Sequence, residues 1–238
     1  MMFSSKHRQS PFEGRPEMAA TGLHARAFKL FRKYVSPRAK VLDLGSGPGG
    51  WAKRLHDASY SVTACDLELE ERLEFPYRQV DLNQNFAEVF DDEKFDAISL
   101  IEVIEHLENP RHVFRQIRLL LRSGGVVLLT TPNASGLYSR LRFFFTGEMA
   151  MFTDGAYAVG SGHITPLTVW QLEKIFSEND FGILERQFHD APFVPPRSLG
   201  DVAKIVAWLG VRIFMSGTVG GQCILYALRS KVPPRGNT

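Results

Sequence analysis

Val41-Leu42-Asp43-Leu44-Gly45-Ser46-Gly47-Pro48-Gly49-Gly50 is the stretch that decides the fold. An apolar run over residues 40–44 stops at a glycine-rich turn, and residues 51–57 read as a helix. Strand, tight loop and helix in that order bring a backbone close to a nucleotide-like ligand. Glycine there allows positive φ and puts no side chain in the ligand's way. Two spacings overlap. Gly45, Gly47 and Gly50 fit G-x-G-x-x-G, whose bare N–H groups at a helix N-terminus suit a pyrophosphate. Asp43, Gly45, Gly47 and Gly49 fit D-x-G-x-G-x-G. A carboxylate at the strand end, Asp43, suits a cationic ligand and repels an anionic one. An ordinary glycine turn in an α/β domain is the third reading.

Working outward, Ser61-Val62-Thr63-Ala64-Cys65 reads as a second strand that ends in Asp66. An acid about 20 residues beyond a glycine loop can take both ribose hydroxyls of a nucleotide-like ligand. Tyr77-Arg78-Gln79-Val80-Asp81-Leu82 is a short strand with a third acid, Asp81, which a turn or helix cap would also explain. Phe95-Asp96-Ala97-Ile98-Ser99-Leu100-Ile101 reads as the fourth strand and runs into Glu102-Val103-Ile104-Glu105-His106-Leu107. Residues 119–133 read as a helix end, a Gly124-Gly125 turn, a buried strand and a stop.

In that order, over residues 41–181, these segments resemble motif I and motifs IV to VI of the class I S-adenosylmethionine (SAM) methyltransferases. They resemble the ubiquinone-biosynthesis O-methyltransferase-like, type 11 and type 23 group within that family. SAM has no phosphate but carries an ammonium and a sulfonium, which agrees with Asp43. The resemblance implies an α/β, Rossmann-like fold: a mostly parallel seven-stranded sheet with an antiparallel last strand, helices on both faces and small helical cap insertions. It implies SAM as cofactor, with Asp43, Gly45, Ser46, Gly47, Gly49, Asp66, Leu67, Asp81, Leu82 and Ile101 around it. Asp66 would take the ribose, Asp81 would face the adenine amino group, and Leu82 would be a backbone or packing contact.

Composition agrees with this. A chain of 238 residues, 44% hydrophobic and 23% charged, can bury one large core. The formal charge of +2 selects no class of partner. Cys65 and Cys223 lie in apolar strand-like runs, so buried free thiols are expected rather than a disulfide or metal pair. A cytoplasmic, reducing compartment fits. The polar N-terminus has no apolar h-region, and Lys204 and Arg212 interrupt the apolar region after Val202, so neither signal peptide nor membrane span is expected.

Residues 1–15 are expected to be disordered, 16–230 to form one domain, and 231–238 a tail. Residues 17–34 have helical periodicity, and in this family such a helix covers the cofactor cleft. A later helix is expected over 165–179, signalled by Thr165 or Pro166, followed by a sixth strand from Phe181 and a seventh over 221–228. Two insertions stand out at the carboxyl ends of the strands, where this fold builds substrate pockets. The first, 134–162, is aromatic: Tyr138, Phe143, Phe144, Phe145, Phe152 and Tyr157. The second, 191–217, holds Pro192, Pro195 and Pro196 and an apolar helix candidate over 199–215. An apolar lid, or a surface for a lipid-linked substrate or a membrane face, is one reading of them. A small helical subdomain with ordinary core aromatics, or a homodimer face, is the other.

Glu102, Glu105 and His106 are spaced i, i+3 and i+4, which puts them on one face of a helix expected to start there. Acids favour a helix N-terminus, which suffices to explain the glutamates. The ubiquinone-type enzymes and the small-RNA 2′-O-methyltransferases have a similar E-x-x-E-H start, and the RNA enzymes add a later histidine. There two Glu and two His hold a divalent ion. The matching positions are Glu102, Glu105, His106 and His163, a set suited to Mg²⁺, Mn²⁺ or Zn²⁺. Without a metal, His106 and His163 are the candidates for a catalytic base, because imidazole titrates near neutral pH.

Three functions compete on these residues. The first is methyl transfer to an oxygen, less readily a nitrogen, of a small molecule, sugar or lipid-linked intermediate. The second is an RNA 2′-O-methyltransferase-like enzyme. Arg111, Arg115, Arg118 and Arg122 form a basic stripe, but such a stripe is usually a solvated face, and no separate RNA-binding module or basic tail is evident. The third is a non-catalytic SAM-binding partner subunit.

Overall fold

A computed structural model describes residues 17–68, 73–154, 157, 162–190 and 220–231. Its centre is a seven-stranded sheet in the order β3-β2-β1-β4-β5-β7-β6. The strands are β1 (Lys40–Leu44), β2 (Ser61–Asp66), β3 (Tyr77–Gln79), β4 (Phe95–Ile101), β5 (Leu121–Pro132), β6 (Phe181–His189) and β7 (Cys223–Ser230). The helices are α1 (Leu23–Tyr34), α2 (Gly50–Asp57), α3 (Pro110–Leu120), α4 (Leu137–Thr146) and α5 (Val169–Glu178). The pairings among β1 to β5 are all parallel, and β7 runs antiparallel to both β5 and β6. The fold is the expected Rossmann-like one.

Strands covered on both faces read as continuous apolar runs. Along β1, Val41 joins the core under α1 and α2, while Leu42 and Leu44 join the core under α3 and α5. Asp43 follows Val41 in the alternation and is the polar exception within the run. At the Gly124-Gly125 turn, β5 makes an excursion: its partners on β4 pass from Phe95 at Leu121 to Ala97 at Val126, and Gly124 takes φ 70°.

Several boundaries differ from those expected. α1 starts at Leu23, six residues late, after a left-handed Gly22. It is seated across β5 and β7 on the sheet face. β3 stops at Gln79, so Asp81 and Leu82 lie in the following loop. α5 starts at Val169 rather than near Thr165. Its signal is a capping box: Thr168 accepts from the Gln171 N–H at 3.2 Å, and the Gln171 side chain accepts from the Thr168 N–H at 2.9 Å.

The expected basic stripe is not one helix face: Arg111, Arg115 and Arg118 lie on α3, whereas Arg122 lies on β5, and Arg111 pairs with Glu178, Arg118 with Asp180 and Arg122 with Asp96. Both cysteines are buried and free. Among the described residues no helix is long and apolar enough to cross a membrane. Of the expected insertions, 134–162 contributes α4 and a bridge between Met149 and Phe152. The second insertion, 191–217, lies outside the described residues, as do 1–15 and most of the 231–238 tail.

Candidate active site

The glycine loop leaves the carboxyl end of β1 with Gly45, Gly47 and Gly49 at φ 69°, 50° and 83°. These are left-handed values that favour glycine. Space adds a second demand at Gly45, where a Cβ would lie 2.6 Å from Val103 Cγ2. Gly47 faces open space, with no atom within 4 Å of an added Cβ. The loop is tied to the end of β2: the N–H groups of Gly45 and Ser46 donate to the Cys65 carbonyl, and that of Gly47 donates to Asp66 Oδ2 at 2.7 Å. Asp66 Oδ1 accepts from the Leu67 N–H, also at 2.7 Å. Each carboxylate oxygen therefore holds one backbone donor and retains a second lone pair.

Asp43 is buried and accepts a hydrogen bond from Ser99 on the neighbouring strand at 2.8 Å. Its Oδ2 and the buried Ser46 Oγ have no hydrogen-bond partner among the described residues. Burial pushes the Asp43 carboxyl up to about 8. In the loop after β3, Asp81 accepts from the Asn83 N–H at 2.9 Å and Leu82 is buried. Ile101 is buried at the end of β4, whereas the Leu67 side chain stands in solvent. The loop, the acceptor oxygens of Asp43 and Asp66 and the open face at Gly47 fit a ligand that brings a cation and hydroxyl donors. They do not fit a pyrophosphate.

Beyond β4 the expected helix is absent. Glu102 takes φ 57°, Ile104–His106 form one 3-10 turn, and α3 starts only at Pro110, with Asn109 accepting from the His112 N–H at 3.0 Å. Glu102, Glu105 and His106 therefore do not share a helix face. Glu102 turns to β5, where Thr130 Oγ1 donates to it at 2.9 Å. Glu105 is fully buried and accepts from Thr131 Oγ1 at 2.9 Å, a pairing that spacing alone did not reveal. Its main-chain carbonyl accepts the N–H groups of Ile164 and Thr165, which docks the distant 162–165 segment here.

That docking brings His163 to His106. The two rings meet edge to face at a centroid distance of 4.7 Å. His163 Nδ1 lies 3.1 Å from the Met151 carbonyl. A carbonyl only accepts, so Nδ1 carries the proton and Nε2 is left as the basic nitrogen. Nε2 is 3.9 Å from Glu105 Oε1. Burial, then the neighbouring imidazole, holds His163 down at about 4, and burial lowers His106. Burial raises Glu102 to about 7, and burial together with the Glu102 charge raises Glu105 well above the usual range. One ligand atom each of Glu105, His106 and His163 lie within 4.8 Å of one another, a grouping that leaves out Glu102.

A family model described as "Methyltransferase domain" matches residues 15–186. The ubiquinone biosynthesis O-methyltransferase of Pasteurella multocida is 32% identical over 112 residues, 40% of this chain and 46% of that protein. The chain thus spans about half the length of the curated relatives it matches. A SAM-dependent methyltransferase from Archaeoglobus fulgidus superposes with a TM-score of 0.61 at 15% identity, covering 87% of this chain and 92% of that one. The Burkholderia thailandensis 1,6-didemethyltoxoflavin-N1-methyltransferase, solved with 1,6-didemethyltoxoflavin and S-adenosylhomocysteine, gives 0.56 at 14% identity, covering 88% and 78%. Likeness at such identities speaks for the fold.

Proposed function

The chain belongs to the methyltransferase-domain family, and from that premise we propose that it is a SAM-dependent enzyme that methylates a hydroxyl oxygen of a small-molecule acceptor. The observation that carries the proposal is the pair of half-buried imidazoles, His106 in the turn that follows β4 and His163 docked against it, with Val103 of the same turn lying against Gly45 of the glycine loop. A hydroxyl must lose its proton as it is methylated, and neutral imidazole is the group for that.

SAM supplies an electrophilic methyl group on a sulfonium. Asp66 would hold its ribose hydroxyls, Gly45, Ser46, Gly47 and Gly49 would pass beneath it, and Asp43 would favour its cationic end. Asp81, Leu82 and Ile101 would bound the adenine side, with Leu67 at the rim. Holding the acceptor oxygen in line with the methyl group is the main work of the site. Either His106 or Nε2 of His163 then takes the hydroxyl proton.

The clustering of Glu105, His106 and His163 favours a second reading, in which these three hold a divalent cation that acidifies the hydroxyl. Glu102, turned to Thr130, would lie outside that set.

Calorimetry with SAM on wild type and Asp66→Ala, followed by a screen of hydroxyl acceptors with and without Mg²⁺ or Mn²⁺, tests the proposal. Binding lost in the variant and methyl transfer to oxygen without added metal would uphold it. Transfer only to nitrogen acceptors would overturn the oxygen assignment, and transfer only with metal would promote the second reading.

A further inference from the structure

Thr165 grips the main chain on both sides of His106. Its N–H donates to the Glu105 carbonyl at 2.9 Å, and its hydroxyl donates to the Leu107 carbonyl at 2.6 Å. Both acceptors belong to residues that are themselves fixed. Glu105 is fully buried and bonded to Thr131, and Leu107 is packed in the core under α3 and α5. Thr165 precedes Pro166, which biases it to extended backbone. In an extended chain, residues two apart share a side. Ile164 accordingly stands 45% exposed, while His163 and Thr165 face the 3-10 turn. His163 therefore rides on the same short segment, and on the same side of it, as the hydroxyl that holds Leu107. Downstream, Leu167 is buried in the same core as Leu107, which anchors the segment at its other end.

We propose that Thr165 is a positioning residue whose hydroxyl sets the contact between the His106 and His163 rings, and through it the rate of methyl transfer. The effect on rate rests on the methyltransferase reading. The N–H groups of Ile164 and Thr165 converge on the single Glu105 oxygen, which fixes one point of the segment but not its direction. The bond to the Leu107 carbonyl supplies a second point, on the far side of His106, and two points fix a direction. The ring centroids, 4.7 Å apart, take their spacing from it. The approach to His163 is equally close: Gly162 takes φ 57°, and a Cβ there would lie 3.4 Å from His106 Nδ1. The Met151 carbonyl fixes the tautomer of His163, whereas Thr165 fixes the main chain that carries the ring. A reacting group displaced by about 1 Å can cost on the order of 10²-fold in rate.

The test sets Thr165→Val, which keeps the shape and removes the donor, against Thr165→Ser, which keeps the donor. Isotope-labelled histidine gives NMR ring signals for His106 and His163, assigned through His106→Ala and His163→Ala. Thr165→Val should shift both signals and leave the other histidines in place, and Thr165→Ser should keep the wild-type positions. With a hydroxyl acceptor, kcat should fall at least about ten-fold in Thr165→Val with SAM affinity unchanged, and stay near wild type in Thr165→Ser. In a His163→Ala background the valine substitution should cost nothing further, because it acts through that ring. Melting temperature checks folding, and Thr165→Ala removes the hydroxyl without added bulk should the valine variant not fold. Unmoved ring signals in a folded variant, or an equal loss of kcat with and without His163, would overturn the proposal. So would a serine variant as impaired as the valine one. Shifted rings without turnover of any hydroxyl acceptor uphold the positioning of the pair and overturn the oxygen assignment, so the two fail separately.

Discussion

Asp43 and Ser99 face each other across the parallel pairing of β1 and β4, joined by a 2.8 Å hydrogen bond, and the other carboxylate oxygen of Asp43 has no partner among the described residues. Burial raises this carboxyl to about 8, against about 4 in an unfolded chain. The folded state therefore holds its proton more tightly. The stability this contributes is complete below about pH 4 and is lost as pH rises towards 8. Melting temperature should decline over that window in wild type and decline less in Asp43→Asn. Parallel profiles would show that Asp43 is not the group concerned.

The same proton should appear in cofactor binding. A cationic ligand end favours the carboxylate form of Asp43, so SAM binding at pH 7 should release up to about one proton. Calorimetry in two buffers of different ionisation enthalpy reads that release directly. Wild type should show it and Asp43→Asn should not; equal enthalpies in both buffers would exclude the linkage.

Gly45 and Gly47 share a backbone conformation but not an environment, and substitution should separate folding from binding. Gly45→Ala drives a methyl group into Val103 and strains the backbone, at a combined cost of about 2–4 kcal/mol of stability. Gly47→Ala meets no atom within 4 Å, so only the strain of φ 50° remains, about 1 kcal/mol. Its added methyl group stands where the ligand would approach. Thermal melts should show a large loss for the first variant and a small one for the second, while SAM affinity falls in the second. A stable Gly47→Ala protein that binds SAM like wild type would remove the loop from the cofactor site.

How much of this was legible in the sequence follows from which interactions are local. β1 and β4 have the expected bounds because strands buried on both faces leave a mostly apolar run, broken by Asp43 in β1 and by Asp96 and Ser99 in β4. The glycine loop was equally plain, since its spacing is a backbone requirement. The i, i+3, i+4 spacing of Glu102, Glu105 and His106 mimics a helix face, whereas α3 starts at Pro110. The true signal, an Asn109 cap followed by Pro110 at the first helical position, was present three residues beyond His106. What no local pattern carries is the positive φ of Glu102 and the pairing of Glu105 with Thr131. Both depend on β5 lying alongside β4.

The capping box on α5 offers a stability test away from the site. Thr168→Ala removes the acceptor for the Gln171 N–H and should cost about 1 kcal/mol. Gln171→Ala removes the reciprocal arm. The two losses should be less than additive, because each arm orients the other. Denaturant melts of the two single variants and the double variant measure this. Full additivity would mean that the two hydrogen bonds act independently.

The imidazole pair makes the sharpest claim on mechanism. His163 is anchored through Nδ1 to the Met151 carbonyl, and its neighbour His106 is held in the 3-10 turn after β4. If either ring takes the acceptor's proton, His106→Ala or His163→Ala should lower kcat about 10²–10⁴-fold and leave SAM affinity unchanged. Either substitution also vacates one member of the Glu105 cluster, so a chelator arm is needed to separate the two chemistries. With a base, wild-type turnover persists after exhaustive treatment with EDTA and only the histidine variants fail. With a metal, EDTA reproduces the variants' loss and Mn²⁺ restores wild type but neither variant. Unchanged kcat in both variants would exclude the pair from either role. Catalysis would then rest on the alignment of acceptor and methyl group alone.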